Sequence, residues 1–255
     1  SIELDLASLE GQDVVRELAK QSDIVLENFK VGTLDRYGLG QAQLREINPR
    51  LIYCSITGFG QDGPMAEDAA YDFMIQGMGG LMSVTGTPDG EAGGGPQKVG
   101  VPIVDIMTGM YAAISVLAAL SERNSSGKGD YIDLAMLDVA TAMLANQAMN
   151  HLVSGKVPER KGNKHPNIQP QDVFAVRDGH MVLAVGNDEQ FARFAEALDM
   201  PELATDPRYA KNADRVRNLD VLHPLISARL KTRDLADWLA RLGERKIPCG
   251  PINTV

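Results

Sequence analysis

Apolar and polar positions along this chain switch between two periods, and each switch marks an element. Ser8 is placed to cap a helix in which Val14, Val15, Leu18 and Ala19 share one face, and Asp23-Ile-Val-Leu-Glu27 follows as a short apolar run of strand type. The first six residues, Ser-Ile-Glu-Leu-Asp-Leu, also read as a strand. Gly38-Leu-Gly40 breaks the chain before a predicted short helix over 41–47, and Pro49 stops that helix ahead of a predicted strand over 51–56. A helix over about 71–81 comes next, then a glycine-rich run over 86–95, a candidate mobile loop. From 103 to 123, Ile106, Met110, Ala113, Leu117 and Leu120 recur at helical spacing, which predicts that this face is packed along most of the helix. A strand over 131–136 and a helix from Asp138 to about His151 follow.

Helices and strands therefore alternate, the signature of an α/β layer architecture with a mostly parallel sheet. Thr57 to Pro64 (TGFGQDGP) is a glycine-punctuated loop directly after a strand, the end at which open α/β sheets bind ligands. The polar, basic and proline-rich stretch 153–170 reads as a linker or substrate-facing loop. Beyond it the pattern changes to strands near Val173 and over 181–185, then helices over 189–198, 215–230 and 232–245. The expectation is a large domain over 1–152 and a smaller domain from 171 to 255. The chain opens without Met and stops at Ile252-Asn-Thr-Val in mid-phrase, so a piece of a longer protein, with both domains incomplete, is expected.

Composition narrows the classes of partner. Hydrophobic residues make up 44% and charged residues 23%, as in an ordinary globular chain, and the formal net charge of −9 argues against a nucleic-acid surface or an anionic membrane. Cys54 and Cys249 are far apart and lie in or beside apolar segments, so buried free thiols in a reduced compartment, the cytoplasm by default, are expected, with a matrix or peroxisomal location left open. The sequence shows no export signal and no apolar stretch read as a membrane span.

Candidate chemistry centres on Asp105, which ends the run Val-Gly-Val-Pro-Ile-Val (99–104) and opens the long helix. A carboxylate there is either an ordinary helix cap or an ionised group presented to a substrate. Asn28-Phe29 after a strand has the bland reading of an Asx turn with a core aromatic, and Arg36 that of a solvated charge. Gly77-Met-Gly79-Gly80 lacks the third glycine of a dinucleotide motif, no Walker A, HExxH or GxSxG occurs, and four scattered histidines propose no metal site. Catalysis, if present, rests on carboxylates, backbone amides and loops.

Taken together, SIELDL at 1, VLENFKVGTLDRYGL from 25, INPRLIYCSITGFGQDGP from 47, AAYDFMIQGMGG from 69, VDIMTGMYAA from 104, YIDLAMLD from 131, LAVGND from 183 and IPCGPIN from 247 resemble the class III CoA-transferases. The resemblance runs the length of the chain. It implies a Rossmann-like large domain, a smaller α+β domain and an interlocked homodimer of the full-length protein. It also implies that Asp105, in Asp-Ile-Met-Thr-Gly-Met, is the nucleophile, with Tyr71 nearby to donate a hydrogen bond to a developing oxyanion. The implied contacts to coenzyme A are Leu4, Asn28, Phe29, Arg36 and Met136. Gly162, Asn163 and His165, within RKGNKHPNIQ over 160–169, are the implied acceptor contacts; this stretch departs from the four-glycine run of formyl-CoA transferase. Ala7 and Ala69 stand where that enzyme has lysines.

Acyl-CoA and a carboxylic acid, most similar to the dicarboxylate type, are then the substrates, with no permanently bound cofactor and no metal. The related α-methylacyl-CoA racemases pair the aspartate with a histidine. Here Tyr71 takes that place, and a phenol with a pKa of about 10 is a poor base near neutrality. A non-catalytic CoA-binding relative is the other alternative, against which the retained Asp105, Tyr71, Thr108 and Gly109 speak.

Overall fold

A computed structural model describes residues 1–255. The chain divides into two compact units, Ser1–Arg160 and Lys161–Val255. The division falls inside the stretch read as a linker, and residues 161–170 belong to the second unit.

In the first unit, α1 (Leu9–Gln21) begins where Ser8 Oγ accepts the Gly11 N–H at 3.0 Å. Residues 1–5, read from the sequence as a strand, have no strand partner and form none. β1 (Ile24–Glu27), α2 (Gln41–Ile47) and β2 (Ile52–Thr57) follow, then α3 (Asp72–Met78), α4 (Leu81–Val84), α5 (Ile103–Ser126), β3 (Tyr131–Ala135), α6 (Met136–Ala142) and α7 (Ala145–Ser154). The strands form a parallel sheet in the order β1-β2-β3, with Leu26 opposite Cys54 and Cys54 opposite Ile132. Parallel strands need crossovers, and α2 and the segment from α3 to α5 supply them.

Two apolar clusters hold this unit. Ala19, Leu39, Leu44, Leu51 and Tyr53 pack α1 and α2 to the sheet. Ile75, Val104, Met136 and Ala140 join α3, α5 and α6 beyond the C-terminal ends of β2 and β3. The helix expected over 71–81 is split at Gly79 and Gly80. A Cβ on Gly79 would lie 2.7 Å from that of Ala140, and Gly80 has φ +86°, so each position is made for glycine. The helix expected from Asp138 begins at Met136 and is broken before Ala145. Residues 86–95 form a loop closed by backbone bonds from Gly95 N–H to Thr87 O (3.2 Å) and from Gln97 N–H to Thr85 O (3.0 Å).

α5 reverses an expectation. Val104, Thr108, Ala112, Ala119 and Arg123 are its buried positions, whereas Ile106, Met110, Ala113 and Leu117 are exposed. The packed face is the one with small side chains, which let the helix approach β2 and β3 closely. The helix is apolar on nearly every side, so spacing alone could not choose the face. At 24 residues it is also long and apolar enough, by length and composition, to cross a bilayer, which corrects the expectation that the chain has no such segment. Its last turn is polar: Arg123 donates to Asp23 Oδ1 at 2.8 Å and to Arg50 O at 2.9 Å.

In the second unit, β4 (Gln171–Val176), β5 (Gly179–Ala184) and β6 (Cys249–Pro251) form an antiparallel sheet in that order. α8 (Asp188–Ala197), α9 (Asn212–Arg217), α10 (Leu219–Leu230) and α11 (Leu235–Glu244) cover it. Phe174, Met181, Leu183, Phe191, Phe194 and Trp238 are among its buried core, a core separate from that of the first unit. The helix expected over 215–230 is two helices, divided at Asn218.

Candidate active site

The C-terminal ends of the parallel strands open into a cleft of about 780 Å³. Glu27, Asn28, Phe29 and Lys30 reach it from the end of β1, Ile56, Thr57 and Gly58 from β2, Met136 from the end of β3, and Asp105, Thr108 and Gly109 from α5. Ligands of open α/β sheets bind at this edge because loops and helix N-termini converge there.

The loops are built from the sequence outward. Glu27 turns back so that its Oε2 accepts the Phe29 N–H at 2.8 Å. The turn is thus held by the glutamate rather than by Asn28, and Phe29 is 46% exposed instead of joining the core. In TGFGQDGP, Thr57 Oγ1 accepts the Gly60 N–H at 2.9 Å and Asp133 Oδ2 accepts the Gln61 N–H at 3.0 Å. Gly58 passes so close to Ala70 that a Cβ would lie 2.1 Å from the alanine methyl.

Asp105 lies in the first turn of α5, but it is not the cap. Asp72 of α3 takes that role from across the fold: its Oδ1 accepts the N–H groups of Val104 at 2.8 Å and Asp105 at 3.3 Å. These are orphan donors of a helix start, which any acceptor in the right place satisfies. Pro102, at the cap position itself, has no side-chain acceptor to offer. The Asp105 carboxylate is left exposed in the cleft. Partial burial raises its pKa above the ordinary carboxylate value, and the neighbouring Asp72 charge raises it further.

Thr108 follows one turn along the same face. Its Oγ1 is buried with no hydrogen-bond partner in the protein. Tyr71, 77% exposed, stands immediately before α3 at the cleft edge, its side chain making no capping bond. The lining carries five carboxylates, from Glu27, Glu67, Asp68, Asp72 and Asp105, and a single cation, Lys30.

Of the residues singled out in the sequence, Asp105, Tyr71, Asn28, Phe29 and Met136 come together in this cleft. Leu4 and Arg36 are outside its lining. Arg36 is exposed on a 3₁₀ turn (Asp35–Tyr37), its guanidinium 3.5 Å from Thr33 Oγ1. Gly162, Asn163 and His165 belong to the second unit, where His165 Nδ1 accepts the N–H groups of Asn167 and Ile168, both at 3.1 Å. That pair of bonds puts the ring proton on Nε2. Asn163 lines a separate, mostly apolar groove with Val173, Val182 and Cys249. Both thiols are free, and burial pushes Cys54 up to about 11 and Cys249 upward, so neither is poised as a nucleophile.

Sequence reasoning missed Lys30, Asp72 and Gln76. Lys30 directly follows the quoted Asn-Phe pair, so its place was readable once the strand end was known. Asp72 and Gln76 act on segments more than twenty residues away, and nothing local announces that.

Residues 1–255 match the model of CoA-transferase family III, and the chain belongs to that family. It is 48% identical to succinate–glutarate CoA-transferase of Agrobacterium fabrum, over 100% of this chain and 63% of that enzyme. It is 39% identical to the mouse succinyl-CoA:glutarate CoA-transferase, over 100% of this chain and 58% of that enzyme. Among solved structures, a CAIB/BAIF family protein from Brucella suis superposes with a TM-score of 0.84 at 51% identity, over 100% of this chain and 66% of the other. The chain thus spans about three fifths of the curated relatives it matches.

Proposed function

We propose that the protein containing this chain moves coenzyme A from an acyl-CoA thioester to a free carboxylate, with Asp105 as the nucleophile. The observation that carries this reading is the division of labour at the start of α5. Asp72 satisfies the helix N-terminus, so the Asp105 carboxylate is free to face the cleft.

A carboxylate needs no general base to attack. Asp105 adds to the thioester carbonyl and expels CoA thiolate, giving a mixed anhydride. The thiolate then attacks the aspartyl carbonyl, releasing the donor acid and leaving an aspartyl-CoA thioester. The acceptor carboxylate displaces CoA thiolate from that thioester to form a second anhydride, and the thiolate attacks the acceptor's acyl carbon. The products are the new acyl-CoA and free Asp105, and no water is consumed. Tyr71, which lines the same cleft, is the proposed donor to the oxyanion of each tetrahedral intermediate. Asn28, Phe29 and Met136 are the proposed cleft contacts for CoA, with Leu4 and Arg36 as further contacts and Gly162, Asn163 and His165 for the acceptor. CoA enters and leaves as substrate.

The names of the relatives favour dicarboxylates of the succinate and glutarate type. A homodimeric, cytoplasmic enzyme is part of the same reading. The test is mass spectrometry of the full-length protein incubated with succinyl-CoA and trapped with hydroxylamine or borohydride. A modified peptide at Asp105, absent in Asp105→Ala together with transferase activity, is expected. No adduct in wild type and no loss of activity in the variant overturn the mechanism. Exchange of an acyl-CoA α-proton in deuterated buffer without any acceptor acid favours the racemase chemistry instead, although the cleft lining contains no histidine.

A further inference from the structure

Gln76 is fully buried, and both ends of its amide are committed. Its Nε2 donates to Asp72 Oδ2 at 2.6 Å, and its Oε1 accepts the Val99 N–H at 2.9 Å. The amide has no freedom to flip: the carboxylate demands a donor and the backbone N–H demands an acceptor. Asp72 is one helical turn earlier on α3, and its other oxygen holds the N–H groups of Val104 and Asp105. An unbroken series of hydrogen bonds therefore runs from Val99, four residues beyond the glycine-rich run, through Gln76 and Asp72 to the backbone of Asp105. The side chain of a short helix thereby joins the segment entering α5 to the turn that presents the reactive carboxylate.

We propose that Gln76 is a positioning residue for Asp105. It fixes the rotamer of the Asp72 carboxylate, and so holds the first turn of α5 against the segment ending at Val99. The proposal rests on the transferase reading given above and adds a residue that does not line the cleft. Without Gln76 a carboxylate oxygen of the half-buried Asp72 and the N–H of the half-buried Val99 lose their partner, and the Asp72 carboxyl is free to rotate away from the helix start. An error of about 1 Å in a nucleophile is enough to cost on the order of 100-fold in rate.

The pair invites an exchange of roles. Asp72→Asn alone sets an NH₂ group against the Gln76 NH₂ group, and Gln76→Glu alone sets one carboxylate against another. The double variant Asp72→Asn/Gln76→Glu restores every bond. The amide oxygen at position 72 still accepts from α5, the NH₂ beside it donates to the carboxylate at position 76, and the second oxygen of that carboxylate accepts from Val99. The negative charge moves one side chain further from Asp105. Asp105 shares the cleft with Glu27, Lys30, Glu67, Asp68, Tyr71 and Asp72, and only the charge of Asp72 is changed by this exchange.

The experiment uses the full-length protein with succinyl-CoA as donor and glutarate as acceptor. Wild type is first examined for the Asp105 adduct. Each single variant is expected to lose at least tenfold in kcat and in the rate of adduct formation, with KM for succinyl-CoA changed by less than threefold. The double variant is expected to recover most of that loss, with the acidic limb of its pH profile moved to lower pH. Gln76→Met, of similar volume but lacking both bonds, supplies the single-variant measurement if Gln76→Glu does not fold. Single variants with wild-type rates, or a double variant no faster than the worse single one, overturn the proposal. Failure of wild type to form the adduct overturns the transferase reading itself, which separates the two.

Discussion

At the residue scale, the position of Asp105 carries a structural penalty beside the chemical use proposed for it. Its carboxylate is held above its ordinary pKa by desolvation and by Asp72, so ionising it is harder in the folded protein than in the unfolded chain. Between the two pKa values the native state binds the more protons, and stability falls as pH rises through that window. The penalty is complete above the folded pKa and absent below the unfolded one, near 3.8. Asp105→Asn removes the charge and keeps the shape. The expected outcome is a small rise in thermal midpoint at pH 7 that shrinks to nothing as the pH is lowered towards that unfolded value, measured by thermal unfolding across pH. The rise is small because the group is exposed and solvent screens it. A variant less stable than wild type at neutral pH shows instead that the carboxylate is a favourable cap. The sequence left those two readings of Asp105 open because the residue that decides between them, Asp72, is thirty-three positions away.

Elements built on one clear period were legible, and those that depend on a neighbour were not. The helix over 41–47 and the parallel strands followed from glycine and proline punctuation and from runs of Ile, Val and Leu. β6 escaped notice because Cys-Gly-Pro is three residues of no β character, made a strand only by pairing with β5. α5 shows the limit most plainly. Large apolar residues mark one face and small ones another, and a spacing argument picks the large ones. The sheet takes the small ones, since Ala112 and Ala119 are only 4% and 7% exposed. Enlarging a side chain there forces helix and sheet apart. Ala119→Leu is expected to destabilise by about 1–3 kcal/mol, read from the urea midpoint at unchanged m-value. Ala113→Leu, on the exposed face, is expected to stay within about 0.5 kcal/mol. The reverse order would mean that the faces are wrongly assigned.

At the scale of the whole molecule, each unit closes its own core, and the chain on either side of their division at 160 forms no regular element. α7 ends at Gly155, which has φ +69°, and residues up to 164 form no helix or strand. Linkers are legible in sequence because polar, proline-rich chain cannot bury enough surface to order itself. Which of their side chains are nonetheless tied down is a tertiary fact. Arg160 is such a case: it pairs with Asp89 and is only 12% exposed, while Lys156 and Lys161 on either side are exposed. A protease reports this difference directly, since cleavage needs several residues of extended, unpaired backbone. Limited trypsin digestion under native conditions is therefore expected to cut first after Lys156 and Lys161. Cleavage after Arg160 should come later, and later still at the lysines and arginines of α1, α5 and α9. Peptide masses from the earliest time points decide it. First cuts after Lys98, in the segment that Gln76 holds through Val99, would show that this segment opens more readily than the boundary between the units. They would also show that the Val99–Gln76 bond is too weak an anchor for the positioning role proposed for Gln76.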